Sequence, residues 1–130
     1  MILSDIGLCS VDHRWFELTS LERLDLSVNR LGARHVFCSS FLKIAQLKCL
    51  KMLSLKDNQI GRISDELWEA LPKSLLHLDL SVNYIAELSP SITQLPNLTK
   101  LIVASNRISR LPENVCYFFH QRIPCRTNRS

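Results

Sequence analysis

Glycine is scarce in this sequence, with three residues in 130, at positions 7, 32 and 61. None lies in a glycine-rich run of the kind that cradles phosphate groups. No nucleophile and base occur in a recognisable catalytic signature either. We therefore expect no enzymatic activity, no cofactor and no small-molecule substrate.

Long apolar runs are also missing, since no stretch approaches the ~20 residues of a membrane span. Residues 1–10 contain Asp5 and no extended apolar segment, which argues against a signal peptide. The five cysteines, at positions 9, 38, 49, 116 and 125, are odd in number and lack paired clusters. This usage fits a reducing compartment, so we expect a cytoplasmic protein.

Metal-binding clusters are poorly represented. Cys116-x₃-His120 followed by Cys125 is the best grouping, and Cys9-x₃-His13 is a weaker one. Structural zinc sites use four ligands and usually a close pair of cysteines, which neither grouping has. We therefore expect no metal site.

A basic stripe is absent as well, although the net charge is +4. The excess lies in Arg122, Arg126 and Arg129, while residues 1–119 carry 13 basic and 12 acidic side chains. Nucleic-acid binding needs basic residues concentrated on the folded surface. No nucleic-acid partner is expected.

Leucine, in contrast, is abundant and periodic. The pattern L-x-x-L-x-L-x-x-N-x-(L or I) occurs four times, starting at residues 21, 50, 75 and 98, except that valine replaces the third leucine in the last copy. The asparagines of the pattern are Asn29, Asn58, Asn83 and Asn106. Over about residues 15–115 the sequence resembles the leucine-rich repeat family, of the intracellular type.

That resemblance implies an α/β fold: a right-handed solenoid with a short-stranded parallel sheet on its concave face and helices or 3₁₀ turns on its convex face. The residues agree, because Leu78-Asp79-Leu80 alternates apolar and polar side chains like a half-buried strand. Repeat periods of 23 to 29 residues leave room for a crossover between parallel strands. We expect four strands, centred on residues 24–26, 53–55, 78–80 and 101–103.

The four asparagines follow the strands, where the chain bends inward and backbone groups lose their strand partners. A carboxamide both donates and accepts hydrogen bonds, so a stacked column of asparagines can satisfy those groups. We interpret Asn29, Asn58, Asn83 and Asn106 as a structural ladder.

The crossovers predict different helices. Phe37, Phe41 and Ile44 or Ala45 recur at helical spacing, which predicts a true α-helix over residues 33–45. Ser64 is expected to cap a short helix through Leu71. Ser89-Pro90 should begin one or two turns, for which a 3₁₀ helix is an option.

Residues 21–115 form the predicted array, and both flanks are atypical. Residues 1–20 are predicted to be a degenerate coil or cap, with Val11 at the asparagine position and Ser10 capping a helix through Trp15 and Leu18. Residues 116–130 are predicted to be a truncated or improvised cap. Pro124 stands where a fifth strand would be expected, so no such strand is predicted and the chain is interpreted as a fragment or short form.

The outward strand positions are the candidate binding residues on the concave strand face. The predicted partner-binding set is Arg23, Asp25, Met52, Ser54, Lys56, Leu76, His77, Asp79, Lys100 and Ile102. Outward charges of both signs favour a protein partner over a polyanion. A solvated sheet face without a partner is the alternative.

The leading functional hypothesis is a non-catalytic scaffold or adaptor module that binds a protein. This follows from the resemblance to leucine-rich repeat proteins. The alternative is a piece of a multidomain signalling enzyme, such as a leucine-rich repeat kinase with a GTPase domain. Catalysis would then lie outside these 130 residues.

Overall fold

Five short strands form one parallel sheet whose strand order follows the chain. They are visible in a computed structural model that describes residues 1–115 and the backbone of residues 125–126. The strands are β1 (Arg23–Asp25), β2 (Met52–Ser54), β3 (His77–Asp79), β4 (Lys100–Ile102) and β5 (Cys125–Arg126). Each strand packs beside the next repeat's strand, which is the geometry of a solenoid.

The repeated leucine at the middle of each of the first four strands faces the core. Leu24, Leu53, Leu78 and Leu101 lie in register and are at most 1% exposed. The strands are centred on these leucines, one residue earlier than predicted. Backbone pairing nevertheless continues beyond the strand bounds, for example from Leu26 N to Ser54 O at 3.0 Å. The predicted parallel fold is confirmed.

The expectation that no fifth strand would form is wrong. Cys125 and Arg126 pair in parallel with Leu101 and Ile102 of β4. Proline lacks only its own N–H, and Pro124 precedes the two paired residues, so their backbone groups remain able to pair. The remainder of the tail, including Cys116 and His120, lies outside the described residues.

Short helices in the crossovers form a second layer behind the sheet. These are the 3₁₀ helices His13–Glu17, Leu31–Ala33, Leu42–Gln46 and Pro90–Gln94, together with α1 (Phe37–Ser40) and α2 (Asp65–Ala70). Helix α2 packs between the 3₁₀ helices 42–46 and 90–94. Within the described residues, no helix has the length and apolar character needed to cross a membrane.

Two of the three predicted serine caps, Ser64 and Ser89, are present. The Ser64 hydroxyl accepts a hydrogen bond from Leu67 N at 3.2 Å at the start of α2. The Ser89 hydroxyl accepts one from Ser91 N at 3.1 Å, and Pro90 begins the 3₁₀ helix as predicted. Both caps satisfy backbone donors that a helix start leaves without a partner.

The prediction of one continuous α-helix over residues 33–45 is wrong. Helix α1 has a single turn, and a separate 3₁₀ helix follows from residue 42. Arg34 is extended, with φ −110° and ψ 139°, and no side chain caps α1. A helix this short, without a cap, depends on tertiary packing for its stability. Phe37 and Phe41 provide that packing, since both are buried and their rings stack with centroids 5.1 Å apart.

Residues 1–8 extend the sheet beyond β1. Ile2 forms a parallel bridge with Asp25, and Leu3 N donates to Asp25 O at 2.8 Å. Asn29 Oδ1 accepts from Ile6 N and Leu8 N, as Asn83 Oδ1 accepts from the backbone of the preceding repeat. Ile6 therefore occupies the asparagine position in this segment, and the assignment of that position to Val11 is wrong.

The helix after this segment also begins differently from the prediction. Asp12 caps the 3₁₀ helix His13–Glu17, with Oδ1 accepting from Arg14 N at 2.9 Å, so Ser10 is not the cap. Trp15 is buried, but Leu18 is 48% exposed and lies outside the core. The Asp12 side chain caps a backbone N–H two residues later, whereas the capping-box pattern spans three residues, so that pattern does not reveal this cap.

Candidate functional site

The outward strand side chains form two rows that run across the sheet. The first residue of each strand from β1 to β4 lies in one row, which we call the first row: Arg23, Met52, His77 and Lys100. The third residue of each strand lies in the other row, which we call the third row after that strand position: Asp25, Ser54, Asp79 and Ile102. We call these eight residues, with the neighbouring Lys56 and Leu76, the strand face. Adjacent parallel strands lie ~4.8 Å apart, so the strand face is continuous.

Nine of the ten predicted binding residues are at least partly accessible on this face. Ser54 is the exception, because it is 6% exposed. It lies between Asp25 and Asp79 in the third row, and its short side chain does not project past those two longer ones. Ser54 is therefore the least accessible of the ten predicted contacts.

The two aspartates of the third row also have a structural role. Asp25 Oδ1 accepts from Ser27 N at 2.9 Å and from Ser27 Oγ at 2.7 Å. Asp79 Oδ1 makes the same pair of bonds with Ser81, at 2.9 and 2.6 Å. These bonds form a local turn at the strand end, as aspartate and serine commonly do. The Asp-Leu-Ser spacing, repeated in two repeats, is the sequence signal for this role.

A depression of about 450 Å³ lies at the edge of the strand face where the strands begin. It is lined by Glu22, Arg23, Lys51, Met52, Leu76, His77, Thr99 and Lys100. Five of these belong to the predicted binding set. Glu22, Lys51 and Thr99 were not in that set, although they directly precede the strand residues in the sequence. The structure thus concentrates half of the predicted residues in one concavity.

One ion pair crosses this depression. Lys51 Nζ lies 2.9 Å from Glu22 Oε1. Their hydrogen bond lowers the pKa of the Glu22 carboxyl and raises the pKa of the Lys51 ammonium. Both side chains are more than half exposed, so water and salt screen the pair. Its main consequence is that Lys51 already has a carboxylate partner within the chain.

The other two cations of the depression form no such salt bridge, although the Arg23 charge also contributes to lowering the pKa of the Glu22 carboxyl. Within residues 1–115, neither Arg23 nor Lys100 forms an ion pair with a carboxylate, and both are exposed. Arg23 is on β1 and Lys100 is on β4, so they mark the two ends of the first row. The row therefore presents positive charge at both ends and no negative charge of its own.

His77 lies between them and does not add to that charge near neutral pH. Partial burial lowers the pKa of the His77 imidazole below its ordinary value, and the nearby Lys100 lowers it further. Asp79 acts in the opposite direction but does not cancel these effects. The imidazole is consequently neutral at pH 7.

The asparagine ladder connects each repeat to the preceding one. Asn83 Oδ1 accepts from Asn58 N at 3.0 Å and from Ile60 N at 2.9 Å. Its Nδ2 donates to the carbonyl oxygens of Leu55, Leu80 and Ser81. Asn29, Asn58 and Asn106 also bond to the backbone of the preceding segment. All four side chains are therefore hydrogen-bonded within the fold.

A larger depression, of about 840 Å³, lies between the loops that follow β2, β3 and β4. Its charged lining residues are Arg62, Asp65, Glu87, Arg110 and Glu113. Asp65 already accepts a hydrogen bond from the Ser89 hydroxyl. Across the described part of the chain, no three potential ligands are grouped to hold a metal ion.

Sequence comparison agrees with this geometry. Residues 48–108 match the family described as Leucine rich repeat. The chain is a leucine-rich repeat protein. The matched segment contains β2, β3 and β4, and with them most of the strand face.

Two related leucine-rich repeat sequences belong to much longer proteins. The adenylate cyclase of Schizosaccharomyces pombe is 33% identical over 86% of this chain. Human leucine-rich repeats and immunoglobulin-like domains protein 1 is 37% identical over 75% of it. The chain spans 6% and 8% of the lengths of these two proteins, respectively.

Solved structures show the same repeat architecture. A leucine-rich repeat protein of Leptospira interrogans matches 93% of this chain, with a TM-score of 0.74 and 29% identity. The match covers 29% of that protein. The Toll–Spatzle complex of Drosophila contains a chain that matches 95% of this one, with a TM-score of 0.76 and 21% identity. That match covers 16% of the longer chain and bears on the fold alone.

Proposed function

We propose that this leucine-rich repeat array is a non-catalytic interaction module that binds a protein partner on its strand face. The observation that carries the proposal is the continuous register of the outward rows from β1 to β4. Consecutive repeats place side chains ~4.8 Å apart, so they form one extended surface for a partner.

The chemistry of the strand face supports a protein partner. Met52 and Ile102 are partly accessible apolar side chains, and Leu76 is 39% exposed. Charged residues of both signs surround them, including Arg23, Asp79 and others of the two rows. Apolar anchors within a polar rim are the usual distribution of binding energy in protein interfaces.

A second candidate is that the array serves as the interaction part of a multidomain signalling enzyme. The observation that favours it is the similarity to an adenylate cyclase over 86% of this chain. Catalysis would then reside in other domains, and the strand face would keep the same binding role. Both candidates therefore predict that the residues of the strand face bind the partner.

We also propose a cytoplasmic location for this activity. Cys9, Cys38 and Cys49 are free thiols, and two of them are exposed. Exposed free thiols persist best in a reducing compartment. Subcellular fractionation of the tagged chain would test this location, and recovery in a secreted fraction would refute it.

The binding role is testable by comparing strand-face variants with a crossover control. Leu76→Glu and Ile102→Glu each place a carboxylate at an apolar anchor. Glu69→Lys changes the charge of an exposed residue on α2, in the helical layer behind the sheet. Circular dichroism should show that all three fold like the parent.

Affinity capture followed by mass spectrometry then measures partner retention. We expect both strand-face variants to lose the partner that the parent chain retains, and the Glu69→Lys control to keep it. If the control alone abolished capture, the partner would bind the helical side and the proposed site would be incorrect.

A further inference from the structure

We infer that the depression on the first row binds an extended acidic segment of the partner, with the pattern acidic-x-apolar-x-acidic. The inference rests on the proposed function and specifies which chemistry the strand face recognises. It follows from the positions of two exposed cations that form no salt bridge within residues 1–115, and of the apolar side chains between them.

The spacing of the cations sets the spacing of the acidic residues. Arg23 on β1 and Lys100 on β4 are separated by three strand spacings along the first row. At ~4.8 Å per strand, the backbones at these two positions are ~14 Å apart. An extended chain advances ~3.4 Å per residue, so residues i and i+4 span about the same distance.

The alternation of an extended chain then determines what lies between the acids. Side chains i, i+2 and i+4 point to one side of an extended segment. With acids over Arg23 and Lys100, residue i+2 falls between β2 and β3. Met52 and Leu76 line the depression there. An apolar residue at i+2 would therefore remove partly exposed apolar surface from water.

The charges of the strand face select acidic residues and position the segment. Lys51 is already paired with Glu22 at 2.9 Å, so Arg23 and Lys100 are the cations of the depression that have no salt bridge within residues 1–115. Asp25 and Asp79 lie two residues further along their strands, ~7 Å from the first row. Their negative charge disfavours an acidic segment across the centre of the sheet and favours the edge where the strands begin.

The direct test uses fluorescein-labelled peptides and fluorescence anisotropy with the full chain. The probe is Gly-Asp-Thr-Leu-Thr-Asp-Gly, which carries the pattern with neutral threonines at the x positions. Its control replaces both aspartates by asparagine, and a spacing control inserts one extra threonine between the leucine and the second aspartate. We expect each control to bind at least ~10-fold more weakly, and binding of the probe to weaken with salt.

Protein variants test the assigned contacts. Arg23→Glu and Lys100→Glu should each weaken probe binding by ~10-fold or more. Lys43→Glu is the matched control, since Lys43 is an exposed cation in the 3₁₀ helix Leu42–Gln46. The Lys43→Glu variant should bind the probe as tightly as the parent chain does. The double variant of Arg23 and Lys100 should prefer the peptide in which lysines replace the aspartates.

The outcomes separate this inference from the proposed function. Equal binding of the aspartate and asparagine peptides, or no detectable probe binding by the parent chain, would overturn the acidic-segment inference. The same holds if Leu76→Glu abolishes capture of the partner while Arg23→Glu and Lys100→Glu both retain it. In that last case the strand face would still be the binding site, with a different recognition chemistry.

Discussion

Replacing Asn83 by alanine should destabilise the chain more than any surface substitution, because this side chain joins two repeats. Asn83 is 4% exposed, and its Oδ1 is the acceptor for Asn58 N and Ile60 N. Alanine would leave both buried N–H groups without that acceptor. An unsatisfied buried donor costs ~1–3 kcal/mol, so the two together predict a loss of ~2–6 kcal/mol. Small domains have a total stability of ~5–15 kcal/mol, so this is a large fraction.

Urea denaturation followed by circular dichroism measures this loss. With a denaturant slope of ~2 kcal/mol per M, the midpoint should fall by ~1–3 M. Asn106→Ala is the matched control, because Asn106 is partly exposed and accepts from one backbone group, Ile85 N. We expect its midpoint to fall by less than half as much. An Asn83→Ala midpoint equal to that of the parent would refute the proposed structural role.

Asn83→Asp separates the donor role from the acceptor role. The carboxylate keeps acceptor oxygens but loses the amide donors that bond Leu55 O, Leu80 O and Ser81 O. Burial would raise the pKa of this carboxyl above ~3.9, since the charged form is poorly solvated there. The penalty relative to the parent should therefore be largest at pH 7 and shrink as the pH falls through the raised pKa. A penalty that grows on acidification would contradict this reasoning.

Three further stability predictions concern the core and the backbone, each measured by the same urea titration. Leu78→Ala should cost ~2–5 kcal/mol as a truncation in the core, and a loss below 1 kcal/mol would contradict its complete burial. Gly32→Ala should be strongly destabilising because the new Cβ would lie 2.5 Å from Gln59 O, whereas Gly61→Ala, with nothing within 4 Å, should be neutral or slightly stabilising. Val82→Asn should stabilise by ~1 kcal/mol, since valine at φ 55° is in the left-handed region that asparagine tolerates better.

The sequence alone determined the four strands of the repeats, the buried leucines and the bonding of the asparagines. Each repeat contacts mainly its neighbours, so the same local solution recurs and appears as a period in the sequence. Leu53, Leu78 and Leu101 occupy the same position in the pattern and lie side by side in the sheet. Each therefore packs against the next, and all three are buried. The serine caps at Ser64 and Ser89 were predictable for a similar reason, because capping depends on a few adjacent residues.

Only the tertiary structure decided the features that depend on a neighbouring repeat of different sequence. Ile6 takes the asparagine position because the Oδ1 of Asn29 accepts from its backbone N–H, a contact that any residue except proline can make. Ser54 is buried because aspartates happen to flank it on both adjacent strands. β5 forms because β4 offers backbone partners to whatever chain follows. Backbone pairing, as at Ile6 and in β5, is possible for any residue except proline, so it leaves no mark on residue type. The burial of Ser54 depends on the side chains of the neighbouring repeats, which the residues of its own repeat do not specify. These outcomes therefore left no periodic signal in the sequence.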